Sequence, residues 1–581
     1  MLGRIVLYFR TARHLRWTQL VHRPLRRVQN YLPSLSKPNV RPPSAAVIER
    51  LESEVTRWGA GVLEQRVERA RSVVRGEFTF LNHTEVLSDI RWQERYVNHL
   101  WSYNLHYFDY AVDLAWAYRS TGERRYRNRY LDLALSWIDG AGRGRGIGWE
   151  PYAASVRIVN WIYAILLLGG DIDSATRRVI EGSIAVQLEH LSTRLEWDVL
   201  ANHLQKNLKA LVVGGMYFGG RSAEAWLQRG SELLWRELFE QVLPDGGQYE
   251  RSPMYHAISL GDFLEVVCLR RALQLPVPKS VMERLGRMAR ALAVLTHDDG
   301  SLHLFNDSAG GVAPDRAWLS SLSMHALQES IPAKDGELIL PETGYYGFSR
   351  RLSGERLLID CGPLGPDYQP GHGHCDLLSF EWLWAGQPVV VDSGVCGYAQ
   401  DSLREYVRST RAHNTVSING REQAELWGAY RVGRRPTVLE AKHVYSDRMY
   451  RFEGAYSPYF DRRVVHRRMI ERDAATLRIR DSLTWPGSGS ASSYMHFHPR
   501  FALSASNGTI RAISNDIELV VTVEGAQRAS VVKGASDPAQ GWYCPEFGVA
   551  LPAPVLVLEA DGHGGCDLTV VIRPTHVAVA R

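Results

Sequence analysis

Near residue 335 the hydrophobic pattern of this chain changes period, and that change limits the possible folds more than any other feature. From about residue 45 to residue 335 apolar residues recur at helical spacing. Val281, Leu285, Met288, Leu292 and Leu295 follow a 3.6 period, and Ser222 to Val242 is similar. Gly-rich or aromatic connections, such as Gly140 to Gly148 and Asp245 to Tyr249, separate these stretches. After Pro341 short β-type runs take over, including Leu477 to Trp485, Ile517 to Val523, Val555 to Leu558 and Leu568 to Ile572, divided by Gly, Asn, Asp and Pro. A chain of 581 residues is also too long for one ordinary core. The pattern predicts an α+β multidomain protein, with a layered helical domain over 45–335 and an antiparallel β-sandwich over 336–581.

Residues 1–44 read as a basic amphipathic segment followed by a Pro-rich linker. No acidic residue occurs from Met1 to Ile48, and Arg4, Arg10, Arg13, Arg16, Arg23, Arg26 and Arg27 alternate with Ile5, Val6, Leu7, Phe9, Leu15, Trp17 and Leu20. The apolar run is too short and too interrupted for a transmembrane helix, and it has no clear small-residue cleavage site. Two expectations stay open: peripheral contact with an anionic membrane surface or acidic partner, or packing on the chain's own body. The 68 basic against 63 acidic residues give a net charge of only +5, a modest bias toward acidic ligands, and no nucleic-acid partner is expected. Six Cys without a Cys-x-x-Cys pair indicate neither a disulfide framework nor a thiolate zinc site. Oligomeric state stays open.

The chemistry concentrates in three places. In Gly371-His372-Gly373-His374-Cys375-Asp376, two His one residue apart point to the same side of an extended backbone. With Asp392, at the end of Val389-Val390-Val391-Asp392-Ser393-Gly394, and His413 of Arg411-Ala412-His413-Asn414-Thr415, His374 completes two imidazoles and a carboxylate. That set suits a divalent metal such as zinc with one position open, and it leaves His372 free for proton transfer. The second place is Ala201 to Asn207, where Asn202, His203 and Lys206 on a helix can face a cleft and neutralise a carboxylate. The third is Asp245 to His256, a turn-rich loop in which Tyr255 or His256 can act as acid or base.

These motifs, in this order, resemble the heparinase II/III-like polysaccharide lyases: an Asn-His on a helix of an (α/α) toroid, a Tyr-His after an aspartate-glycine loop, and a His-x-His on the first sheet of a β-sandwich. The resemblance spans nearly all of the chain after residue 90. It implies an incomplete helical barrel for the first domain, Asn202 as carboxylate neutraliser with His203 beside it, Tyr255 as proton donor and base, and His372 as partner in proton transfer. It also implies His374, Asp392 and His413 as ligands of a structural metal. Asn104, His106, Trp149, Arg157, Lys206, Glu250, His256 and Arg411 make up the expected substrate-binding set.

The implied reaction is β-elimination at a uronic acid of an acidic polysaccharide, giving a 4,5-unsaturated end. A Tyr base has to fall below its free pKa of about 10, and His372 or Arg411 is expected to lower it. A toroid glycoside hydrolase using Glu150 and Glu250, or an inactive polysaccharide-binding or assembly protein of an exopolysaccharide system, are the alternatives. The family implies the periplasm, whereas the missing signal peptide favours a cytoplasmic or membrane-peripheral place.

Overall fold

The computed structural model describes residues 2–31, 37–59, 63–506 and 509–577. Helices dominate as far as Leu327, and the first strand of the β-rich part is Gly336–Leu340. The 3.6-period residues Val281, Leu285, Met288 and Leu292 lie on helix Lys279–Leu295 and are all buried, which explains both the pattern and the element. Successive helices pack pairwise around a ring: Pro151–Leu168 against Asp109–Thr121 and Ala201–Tyr217, the last against Arg221–Gln241 and Pro253–Ala272. The span Pro151–Asp171 is long and apolar enough to cross a bilayer, but 78% of it is buried inside the ring. It is a core helix, apolar because it is covered on every side.

The second half is a sandwich. A five-stranded antiparallel meander (Gly336–Leu340, Tyr345–Arg350, Glu355–Asp360, Phe380–Trp384, Gln387–Val390) faces a ten-stranded sheet centred on the paired strands Leu477–His496 and Pro554–Val577. Alternate side chains from both sheets fill the space between: Phe348, Leu357 and Trp382 from one, Phe452, Ile470 and Leu556 from the other.

The two halves meet along a dry seam where Leu295 and Phe305 of the helical part pack on Leu338 and Leu358. Polar bonds fix the docking angle: Tyr345 Oη donates to the Arg251 carbonyl at 2.6 Å, and Arg356 Nη2 donates to the carbonyls of Ala293 and Val294. The N-terminal helices Leu2–Ala12 and Trp17–Tyr31 lie across both halves. Arg26 pairs with Glu196 and Asp198 of the ring, and Arg10 pairs with Glu425 of the sandwich.

Candidate active site

The segments bearing Asn202, Tyr255 and Asp307 are each entered through a residue with positive φ. Leu200 (φ +69°) and Ala201 (φ +52°) precede Asn202, Arg251 (φ +60°) precedes the Tyr255 helix, and Asn306 (φ +56°) precedes Asp307. Such non-Gly conformations cost on the order of 1 kcal/mol or more each and persist where the surroundings hold them. Helix Pro253–Ala272 then starts cleanly: Ser252 Oγ accepts from Tyr255 N at 3.2 Å and Pro253 occupies the first turn, so Tyr255 is fixed one turn into a buried helix.

Tyr255 and His372 pack ring against ring, tilted by 35° with centroids 4.1 Å apart, although 117 residues separate them in sequence. The Tyr255 hydroxyl is 2.9 Å from that of Tyr398. Burial, then Tyr398 and Asp307, push the Tyr255 pKa well above its ordinary value. The expected lowering by cationic neighbours is therefore corrected: a buried ring beside a second phenol and a carboxylate stays protonated. The charge of Arg411 falls on Tyr494, and Arg411 does not figure among the groups acting on Tyr255.

The organising group is Asp307, which the sequence did not single out. Its carboxylate is fully buried and accepts from His372 Nδ1 at 2.8 Å, His374 Nε2 at 2.9 Å and Arg404 Nη2 at 2.9 Å. Burial opposes its ionisation, but Arg404, His372 and His374 hold it far below the usual carboxylate range. With Nδ1 committed to Asp307, His372 keeps Nε2, which lies 3.6 Å from Glu250 Oε2. That Glu250 oxygen is buried without a hydrogen-bond partner among the described residues, and burial raises the Glu250 pKa. The segment bearing His372 and His374 is a loop rather than the expected extended strand. Gly373 packs so tightly that a Cβ there would meet the Leu364 carbonyl oxygen at 2.2 Å. Both imidazoles nonetheless reach the same carboxylate.

His203 Nδ1 meets Glu196 Oε1 at 3.1 Å and its ring lies 4.6 Å from that of Tyr152. Glu196 is buried, yet His203, Arg26 and Asn207 hold its pKa at about 2. His372 and, more weakly, His203 both oppose the rise in the Glu250 pKa. Asn202 is buried, and its Oδ1 has no hydrogen-bond partner among the described residues. Tyr107, Tyr152 and Tyr255 follow one another, with the Tyr107 and Tyr152 rings 5.7 Å apart.

Other expected contact residues sit elsewhere. Arg157 is completely buried and spends its donors on Gln187 and the carbonyls of His106 and Gly148. His106 accepts from Trp137, Trp149 donates to the Gly142 carbonyl, and Asn104 donates to the Leu100 carbonyl one turn back. His256 uses both ring nitrogens, toward Gln248 N and the Met288 carbonyl. These side chains brace the ring that carries the site. Lys206 is matched by Asp262 at 2.8 Å.

The expected metal ligands lie together beneath Asp307. His413 Nδ1 meets Asp392 Oδ2 at 2.8 Å, which makes Asp392 the anchor of His413 in this structure. The His374 and His413 rings are 5.3 Å apart, and His374 Nδ1 and His413 Nε2 are both buried without a partner among the described residues. Asp376 lies close by; burial raises its pKa to about 6, with His413 opposing and Asp392 adding. A second set, His297, His303 and Glu381, has its donor atoms within 4.8 Å of one another and can hold a metal ion. There, however, His303 Nε2 faces Arg356 Nε at 3.3 Å, so coordination through Nδ1 would set two N–H groups against each other.

A helical ring closed on a β-sandwich, with the anchored His372 imidazole packed against the Tyr255 ring, defines a toroid-sandwich protein. The chain belongs to the heparinase II/III family: residues 8–323 match the heparinase II/III N-terminus and residues 337–572 the heparinase II/III-like C-terminal region. It is 23% identical over 375 residues to a heparin-sulfate lyase of Pedobacter heparinus and 24% over 370 residues to one of Bacteroides thetaiotaomicron, covering 57% and 54% of this chain. The matches span about half the length of those relatives, 52% and 51%. In fold the chain is similar to the crystal structure of heparinase III, with a TM-score of 0.72 over 94% of this chain and 88% of that one at 16% identity.

Proposed function

We propose that this chain is a polysaccharide lyase that breaks a uronic-acid-containing polymer by β-elimination. The observation that carries the reading is the close Tyr255–His372 ring contact, with His372 held through Nδ1 by Asp307. An imidazole anchored that way keeps its Nε2 lone pair for a proton, the arrangement a general base requires. Tyr255, kept as the neutral phenol, is the matching acid.

His372 Nε2 removes the C5 proton, and the electron pair left behind forms the C4=C5 bond as the C4–O bond breaks. Tyr255 gives its proton to the departing oxygen. Charge that develops on the C5 carboxylate is met by the Asn202 amide and by His203, one such donor being worth roughly 3 kcal/mol. The acid and base steps add about 10²- to 10⁴-fold each. The relatives named heparin-sulfate lyases support an acidic glycan as substrate. Heparan sulfate, hyaluronan, alginate and a bacterial exopolysaccharide, incubated separately with the protein, form the test. At least one should give the ultraviolet absorbance of an unsaturated uronate; new reducing ends without that absorbance would mean hydrolysis.

The unpartnered nitrogens of His374 and His413, with a carboxylate from Asp376 or Asp392, fit a zinc-like divalent cation, and leaving both bare and buried is otherwise costly. The ion would brace the loop that carries His372. Elemental analysis should find about one equivalent of divalent metal in the native protein and in His303→Ala, and little in His413→Ala. Metal kept by His413→Ala and lost by His303→Ala would move the site to the His297 set.

A further inference from the structure

The two N-terminal helices are inside out. On Trp17–Tyr31 the residues turned to the body are polar: Gln19 Nε2 donates to the Tyr368 carbonyl at 3.1 Å, and Arg26 pairs with Glu196 and Asp198. On Leu2–Ala12 Arg10 pairs with Glu425, Thr11 accepts from Trp427 Nε1 at 3.0 Å, Tyr8 sets its ring edge-on to Trp427, and Leu7 is half-buried. The apolar stripes face away. Ile5 and Phe9, one turn apart, are 60% and 71% exposed. Trp17, Val21, Leu25 and Val28, spaced along one side of the second helix, are 77%, 40%, 42% and 55% exposed. A helix that only covers its own domain would bury this stripe and present its arginines to water. Here the burial is reversed on two successive helices.

We infer that this pair of helices docks the protein on an anionic lipid surface. Charge decides the occupant: Arg4, Arg13 and Arg27 are exposed around the apolar stripes, and no acidic residue occurs from Met1 to Ile48. Long arginine stems can lie along buried apolar surface while their guanidinium groups reach lipid phosphates, and Trp17 and Phe9 supply rings of the kind that insert at the headgroup level. The stripe is too short to span a bilayer, so the helices lie in its surface. The polar faces grip both the ring and the sandwich, so docking fixes the whole molecule. Arg26 holds Glu196, the partner of His203, so the second helix is tied directly to the residues beside His203.

The test is co-sedimentation of the full chain with phosphatidylcholine vesicles, with and without phosphatidylglycerol, for the native protein and for a Phe9→Ser/Trp17→Ser double variant. The native protein should pellet with the anionic vesicles and be released by salt. The double variant should partition at least about tenfold less, since two large apolar side chains no longer leave water. Neither position belongs to the cleft, so turnover of a soluble polymer should be the same in both proteins, and this readout keeps the docking test separate from the proposed lyase activity. A native protein that stays in the supernatant with both vesicle types, or binding that survives the double substitution, overturns the proposal. So does a vesicle-free dimer in light scattering that the double substitution abolishes, which would assign the face to a second copy of the chain.

Discussion

A Tyr255→Phe protein is expected to fold normally and to lose elimination activity by about 10²- to 10⁴-fold, the span ascribed to one positioned acid or base. The ring stays, so its packing against His372 is preserved. Only the hydroxyl is removed, together with its contact to Tyr398, whose net worth to stability is about 1 kcal/mol. The loss should appear in kcat with little change in KM, because the phenolic proton is needed only as the C4–O bond breaks. Unchanged circular dichroism and thermal unfolding beside the lost turnover would confirm the role. A variant that still turned over polymer at native rates would remove Tyr255 from the chemistry and leave His372 without its acid.

Replacing Asp307 by Asn should act on both stability and rate. One carboxylate serves His372, His374 and Arg404, and the carboxylate, His374 and Arg404 are fully buried while His372 keeps a small exposed edge. Without its charge the buried Arg404 guanidinium has lost its counter-ion, a situation that typically costs 3–5 kcal/mol. An amide has one acceptor oxygen where the carboxylate has two, so His372 and His374 can no longer both donate to it; the tautomer and ring plane of His372 lose their fixed anchor, and a fall in kcat of about 10²-fold or more is expected. Thermal unfolding should drop by several degrees, while Tyr255→Phe barely moves it. If Asp307→Asn were as stable as the native protein and fully active, the imidazole would not depend on this anchor.

Much of the architecture was legible because the two periods are so different. Val281 to Leu295 could only bury one face as a helix, and the alternating runs after Pro341 could only pair as strands. The site was half legible. Tyr255, His372, His374 and His413 sit in short segments with distinctive residue combinations, and the structure places them together. Asp307 was not, because an Asn-Asp-Ser turn looks like any loop; its importance comes from burial and from Arg404, nearly a hundred residues on, which no local pattern reveals. The same limit explains Arg157. An Arg among aromatic residues reads as a ligand for an anion until the fold shows each of its donors taken by carbonyls and Gln187. The pKa of Tyr255 went the other way from the sequence expectation because burial dominates, and the Tyr398 phenol and the Asp307 carboxylate both add to it.

The sharpest test of the central claim is the mass of the chain ends formed when the purified protein acts on an acidic polysaccharide. Elimination by the Tyr255–His372 pair predicts a product whose new non-reducing end is lighter by one water than a hydrolysed end and absorbs in the ultraviolet, and predicts that Tyr255→Phe and His372→Ala form it at least about 10²-fold more slowly. Ends that carry the full mass of added water, or an unsaturated product that both variants make at the native rate, would contradict the account.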